Sequence, residues 1–172
     1  DDQPGKKAVL PCTPLAIVKL LIELGVYQDI SDDNSQPLLG RTVTIFKRSE
    51  VIGRPLAVML SNDGARVLSF DEHGPLEFIN AQPREIKIGR SEALIAADIV
   101  ITGVPDTSFP PITASEIRPE TACINFSSVN NFSDDITTQT ARFLPRVGPM
   151  TVAMCLRNTL RLYQNFHQEA SL

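Results

Sequence analysis

Between Arg48 and Asp71 the chain carries side chains suited to holding a diphosphate and a sugar. Arg48 and Ser49 offer a guanidinium and a hydroxyl to phosphate oxygens, and Gly53 lets a pyrophosphate approach the backbone. Asp71 follows about 20 residues after the start of this loop, where a carboxylate accepts hydrogen bonds from both ribose hydroxyls of an adenosine and repels a 2′-phosphate. That chemistry favours NAD over NADP. The plain reading of the same residues is a βα turn with a capping Ser49, Arg48 in solvent and a strand-end Asp71. No G-x-G-x-x-G is present, and Lys47 stands where a first glycine is expected. S-adenosylmethionine enzymes place an acidic residue in a similar way. A methyltransferase of that class and a non-catalytic dinucleotide-sensing module therefore remain as alternatives. Further on, Gly103-Val104-Pro105 leaves room for a flat nicotinamide ring or forms an ordinary turn.

No spacing ties a nucleophile to a base, so no catalytic side chain is assigned; in hydride transfer the cofactor carries the chemistry and the protein positions the rings. Asn131-Phe-Ser-Asp-Asp135 pairs two carboxylates, a pattern better suited to a solvated turn or helix start. With only His73 and His167, and no Cys or carboxylate at ligand spacing from either, no metal site is expected. Cys12, Cys123 and Cys155 are odd in number, far apart and set in apolar surroundings, which reads as three reduced thiols and a cytoplasmic setting. The net charge of −4 and scattered basic residues argue against a nucleic-acid or membrane partner and for a small-molecule ligand. No apolar run reaches the roughly 20 residues that cross a bilayer.

The elements that must position these residues follow from periodicity. Thr13, as an N-cap before Pro14, opens a helix to Leu24, and Gly25 stops it. A polar loop, Ser31 to Gln36, leads to a β-branched strand ending near Phe46. A helix from about Ile52 ends before the Asn62-Asp63-Gly64 turn, and Arg66 to Phe70 is a second strand ending at Asp71. This βαβ unit places unpaired N–H groups and the positive helix end beside Arg48 and Ser49. Gly74 to Gly89, with Pro75 and Pro83, reads as loop. Ser91 caps a short helix through Ala96, before a strand from Asp98 to Thr102. A helical turn near Ala114 to Ile117 precedes strands at Ala122 to Phe126 and Arg142 to Leu144. A long helix runs from Pro149. The expected fold is α/β, a Rossmann-type, mostly parallel sheet with flanking helices. Its ligand should lie at the carboxyl edge, where the loops after Phe46, Asp71 and Thr102 meet. An apolar sheet edge can pair with a second copy, so a homodimer is expected.

Several segments together resemble the methylenetetrahydrofolate dehydrogenases, most closely the fungal monofunctional NAD-dependent form. They are Pro11-Cys-Thr-Pro14, Arg48-Ser-Glu-Val-Ile-Gly-Arg-Pro-Leu-Ala57, Ile101-Thr-Gly-Val-Pro105, and Gly148-Pro-Met-Thr-Val-Ala-Met154 followed by Leu156-Arg-Asn-Thr-Leu160. Cys123-Ile-Asn-Phe126 and Asn131 to Asp135 resemble the fungal form in particular. The resemblance implies that Arg48, Ser49 and Gly53 hold the NAD pyrophosphate, that Asp71 takes the ribose, and that Gly103 and Pro105 border the nicotinamide. It implies a tetrahydrofolate-type substrate, with Gly148, Pro149, Met150 and Thr151 lining the substrate cleft. The implied organisation is a linker and interface helix over 1–36, an NAD-binding domain over 37–147, and an interface helix over 148–172, the folate-binding part lying before this sequence. Two departures stand out. Lys47 and Arg146 occupy places where bifunctional members carry glycine, and the region bearing the family's Tyr and Lys pair is not in this sequence, so no cyclohydrolase activity is assigned.

Overall fold

The computed structural model describes residues 6–28 and 36–167. The loop expected at Ser31 to Gln36 lies, but for Gln36, outside the described residues. Among the described residues, five helices flank one seven-stranded sheet: α1 (Cys12–Glu23), β1 (Thr42–Phe46), α2 (Gly53–Asn62), β2 (Arg66–Asp71), β3 (Gly74–Ile79), β4 (Gln82–Glu85), α3 (Arg90–Ala96), β5 (Ile99–Thr102), β6 (Ala122–Asn125), α4 (Ile136–Gln139), β7 (Phe143–Leu144) and α5 (Gly148–Phe166). A 3-10 turn, Ala114–Glu116, precedes β6.

The strand order is β4-β3-β2-β1-β5-β6-β7. β1 pairs in parallel with β2 on one side and β5 on the other. The chain leaves β1 first in one direction and then in the other, which opens a crevice at the carboxyl ends of these three strands. Alternate strand residues feed two cores. Val43, Ile45, Ile99 and Ile101 pack under α1 and α2 with Leu21, Leu56 and Leu60. Phe46, Val100 and Cys123 pack on the opposite face with Leu94, Phe132 and Ile136. Burial drives the Cys123 thiol up to about 12, which keeps it a packing group.

Two expectations need correction. Residues 74–85 are not loop: β3 and β4 form an antiparallel hairpin added to β2, closed at Asn80 and Ala81, whose φ angles are 49° and 62°. Left-handed dihedrals at both central residues give the primed turn that matches strand twist. The two prolines, which argue against strands, sit where they forfeit little. Pro83 lies on the edge strand, and Pro75 lies just beyond the last β3–β4 pair, Leu76↔Glu85. Two buried-to-exposed ion pairs brace the hairpin, since Glu77, 1% exposed, accepts from Arg66 at 2.5 Å and from Arg84. The caps at Thr13 and Ser91 are also not used. α1 starts from Pro11, and α3 from Gly89, with no side-chain cap at either. Ahead of α1, Asn165, Arg161 and Asn158 of α5 donate to the carbonyls of Lys7, Ala8 and Leu10 at 2.9, 3.1 and 2.7 Å.

Candidate cofactor site

The β1–α2 loop turns sharply at Lys47, which adopts φ 90° without being glycine. Lys47 N–H donates to Phe70 O at 3.0 Å, holding the turn against β2. The loop folds back so tightly that a Cβ on Gly53 would lie 2.1 Å from Lys47 O and 2.8 Å from the Arg48 Cα. Gly53 is therefore demanded by the loop's own backbone, a reason different from the approach of a pyrophosphate.

Ser49 gives a second correction. Its Oγ accepts the N–H groups of Ile52 and Gly53, each at 3.3 Å, and its carbonyl accepts Arg54 N–H at 2.9 Å. The first amides of α2 are thus not bare, as the sequence suggested. They are held by long bonds to a hydroxyl that a rotation about χ1 removes. Arg48 is neither in solvent nor aimed into the loop. Its guanidinium donates to Ser69 O at 2.7 Å, to Gly74 O at 3.2 Å and to Asp71 Oδ1 at 2.7 Å. Asp71 Oδ1 also accepts His73 N–H at 2.8 Å. One carboxylate oxygen is therefore occupied by the turn between β2 and β3.

Asp71 stands at the rim of a cleft of about 350 Å³ between the ends of β1, β2 and β5. Phe46, Phe70, Val104 and Pro105 supply apolar walls, and Phe109 closes the far side. Phe46 and Phe70 stack with centroids 5.1 Å apart, and Phe109 meets Phe46 at 5.6 Å. Glu72 and Asp106 add acidic charge to the rim. The Glu72 carboxyl is held below its usual range by its own backbone N–H and by Lys47, whose Nζ lies 3.9 Å away. An apolar, aromatic slot with a carboxylate at its mouth fits an adenosine, and the acidic rim disfavours a further phosphate.

Gly103 N–H donates to Phe46 O at 3.0 Å. A Cβ on Gly103 would meet the Phe126 ring at 1.9 Å, so the space over this glycine is filled by Phe126 rather than left open for a nicotinamide. Beside it lies a polar cluster that sequence reasoning missed as a unit. Thr102, Asn125 and Asn131 are almost fully buried. The Thr102 hydroxyl lies 2.7 Å from Asn131 Oδ1 and 3.1 Å from Asn125 Oδ1. Asn131 clamps the next residue of the loop, accepting Val104 N–H and donating to Val104 O, both at 3.0 Å. Asn125 donates to Ser127 O, Val129 O and Pro145 O. The available signal was asparagine where an apolar strand ends, since a buried amide there must be satisfied. Asp135 ties a turn together: Ser133 donates to it, and so does the Ala114 N–H at 3.3 Å.

The structure brings Arg48, Ser49, Gly53, Asp71, Gly103 and Pro105 to one edge of the sheet. Gly148, Pro149, Met150 and Thr151 form the first turn of α5, where Thr151 Oγ1 donates to Val147 O at 3.2 Å. Arg146, two residues before Gly148, lines a separate space of about 460 Å³ with Asn125, Ser127 and Asn130. Among the described residues no group of three His, Cys, Asp or Glu side chains could hold a metal ion.

A doubly wound sheet with its cleft at the switch in strand order, and a carboxylate ending β2, defines a dinucleotide-binding domain of Rossmann type. The family profile described as the tetrahydrofolate dehydrogenase/cyclohydrolase NAD(P)-binding domain matches residues 11–167, and the chain belongs to this family. The methylenetetrahydrofolate dehydrogenase [NAD(+)] of Saccharomyces cerevisiae is 37% identical over 177 residues, covering 96% of this chain and 55% of that protein. The Dictyostelium discoideum enzyme of the same name is 42% identical over 93% of this chain and 52% of its own length. The solved structure of the NAD-dependent 5,10-methylenetetrahydrofolate dehydrogenase from S. cerevisiae superposes with a TM-score of 0.84 at 35% identity, covering 96% of this chain and 55% of that one. The chain thus spans about half the length of the relatives it matches.

Proposed function

We propose that this chain is the cofactor half of an NAD-dependent methylenetetrahydrofolate dehydrogenase. In that role it holds NAD while hydride passes from the methylene carbon of 5,10-methylenetetrahydrofolate to the nicotinamide, leaving 5,10-methenyltetrahydrofolate. The observation that carries the reading is Asp71, fixed by Arg48 at the mouth of the aromatic cleft. Bound NAD would supply the hydride acceptor. The chain's own residues would orient it: Asp71 through the ribose, and Ser49, by yielding the first amides of α2, through the diphosphate. Pro105 would border the nicotinamide, with Gly103 below it under Phe126. Gly148 to Thr151 would form the folate side of the cleft, with Arg146 beside them. Calorimetric titration with NAD, NADP and S-adenosylmethionine tests this, and tighter binding of S-adenosylmethionine than of NAD would overturn it. Activity needs the folate-binding part, so turnover with folate and NAD is to be measured on the full-length protein.

The same reading extends to assembly. Along α5, Val152, Leu156, Leu160 and Tyr163 form an exposed apolar row at helical spacing, suited to packing against the rest of the enzyme. A homodimer through a sheet edge belongs to the same proposal. Sedimentation equilibrium tests the dimer, with a monomer at every concentration as the contrary result. The described cysteines are all free thiols, which supports a cytoplasmic location, checked by imaging the tagged full-length protein.

A further inference from the structure

At the opposite, amino-terminal edge of the sheet a second pocket of about 390 Å³ collects three guanidiniums. Arg41 precedes β1, Arg118 lies on the turn into β6 and Arg142 precedes β7, facing only two carboxylates, Asp98 and Glu120. Asp98 is largely committed. Its Oδ2 accepts Thr42 N–H at 2.8 Å, and its Oδ1 takes Arg118 at 2.9 Å and only a long 3.5 Å contact from Arg41. Arg41 Nε is buried and makes no hydrogen bond among the described residues. Arg142 forms no ion pair among them either, and its side chain is exposed. Arginines at this edge have an ordinary use, complementing the carbonyls at helix C-termini. Arg118 does so, donating to Ala96 O at 3.4 Å, but no such bond is made by Arg41 or Arg142 among the described residues. A buried guanidinium N–H without a partner calls for an acceptor.

We propose that this pocket binds a small oxyanion, the phosphate or carboxylate groups of a metabolite, independently of the cofactor cleft. Planar guanidiniums suit the bidentate recognition of such anions, and three arginines line this pocket. The concentration of positive charge is local, on a chain whose net charge is −4.

Residue-resolved NMR titration of the chain with inorganic phosphate, and separately with citrate, tests the site against chloride at matched ionic strength. Saturable shifts at the amides of Arg41, Thr121 and Arg142 are expected, and the tighter of the two probes identifies the anion class. Arg142→Ala should weaken the apparent affinity about tenfold, and Arg142→Glu should abolish it, because this exposed side chain carries no ion pair that folding needs. Non-saturating shifts that chloride reproduces would reduce the effect to screening and overturn the proposal. Shifts confined to residues 48–53 would overturn it as well, by sending the anion to the cofactor loop, and NAD titration of Arg142→Ala should be unchanged whether or not the cofactor reading holds.

Discussion

Arg48 Nη2 lies 2.7 Å from Asp71 Oδ1, and the two side chains are only 9% and 11% exposed. The residue expected to meet phosphate steadies the residue expected to meet sugar. Because the same guanidinium holds Ser69 O and Gly74 O, it ties the end of β2 to the start of β3 and fixes the carboxylate at the cleft. The hairpin that the sequence did not reveal thus buttresses the candidate cofactor site.

Asp71→Ser separates these roles. Arg48 keeps both carbonyl acceptors, so the fold should survive, while the ribose loses its acceptor and the rim loses a negative charge. NAD affinity should fall about tenfold, close to 1.4 kcal/mol, and the gap to NADP should narrow. Paired titrations in which neither cofactor changes would remove Asp71 from the site.

Ser49→Ala removes the acceptor of the Ile52 and Gly53 N–H groups at the start of α2. Loss of an N-terminal side-chain cap costs about 1 kcal/mol. In the NAD complex the diphosphate should take over these amides, so the stability deficit should shrink when NAD is added in saturating amount. Thermal melts with and without NAD measure this, and a deficit that grows with NAD would show that the hydroxyl itself is a ligand.

Gly103→Ala places a methyl group into the Phe126 ring. Overpacking of this kind costs about 1–3 kcal/mol. If the ring is the whole cause, Phe126→Ala should relieve it, and the double variant should be more stable than the sum of the two single changes predicts. Additive melting shifts would place the strain in the Gly103 backbone instead.

Much of this architecture was legible because strand and helix periods are local signals. The β-branched run Thr42–Phe46 and the apolar spacing of α1, α2 and α5 emerge at nearly the observed bounds. The hairpin was not, because Pro75 and Pro83 suppress strand propensity while their tolerance depends on which neighbours lie alongside. Gly53 and Gly103 stood out in the sequence as room for a ligand, but what fills the space beside each, Lys47 O and the Phe126 ring, is a tertiary fact. Likewise the Thr102, Asn125 and Asn131 cluster joins residues up to 29 positions apart, beyond any local pattern.

Glu77 supplies a pH-dependent test of the hairpin. Burial opposes its ionisation, yet hydrogen bonds and charge from Arg66 and Arg84 win and hold its carboxyl below the usual range. A carboxyl whose folded pKa is depressed contributes stability above its unfolded value, about 4.3 for a free glutamate, and loses it as pH falls through the folded value. Glu77→Gln should therefore melt below wild type at neutral pH, with the two curves converging on acidification as the wild-type ion pairs are protonated away. Melting curves for both proteins between about pH 7 and pH 3 measure the difference directly. A constant offset across that window would mean that the two arginines stabilise β3 and β4 by packing alone, and the brace on the cofactor edge would then owe nothing to charge.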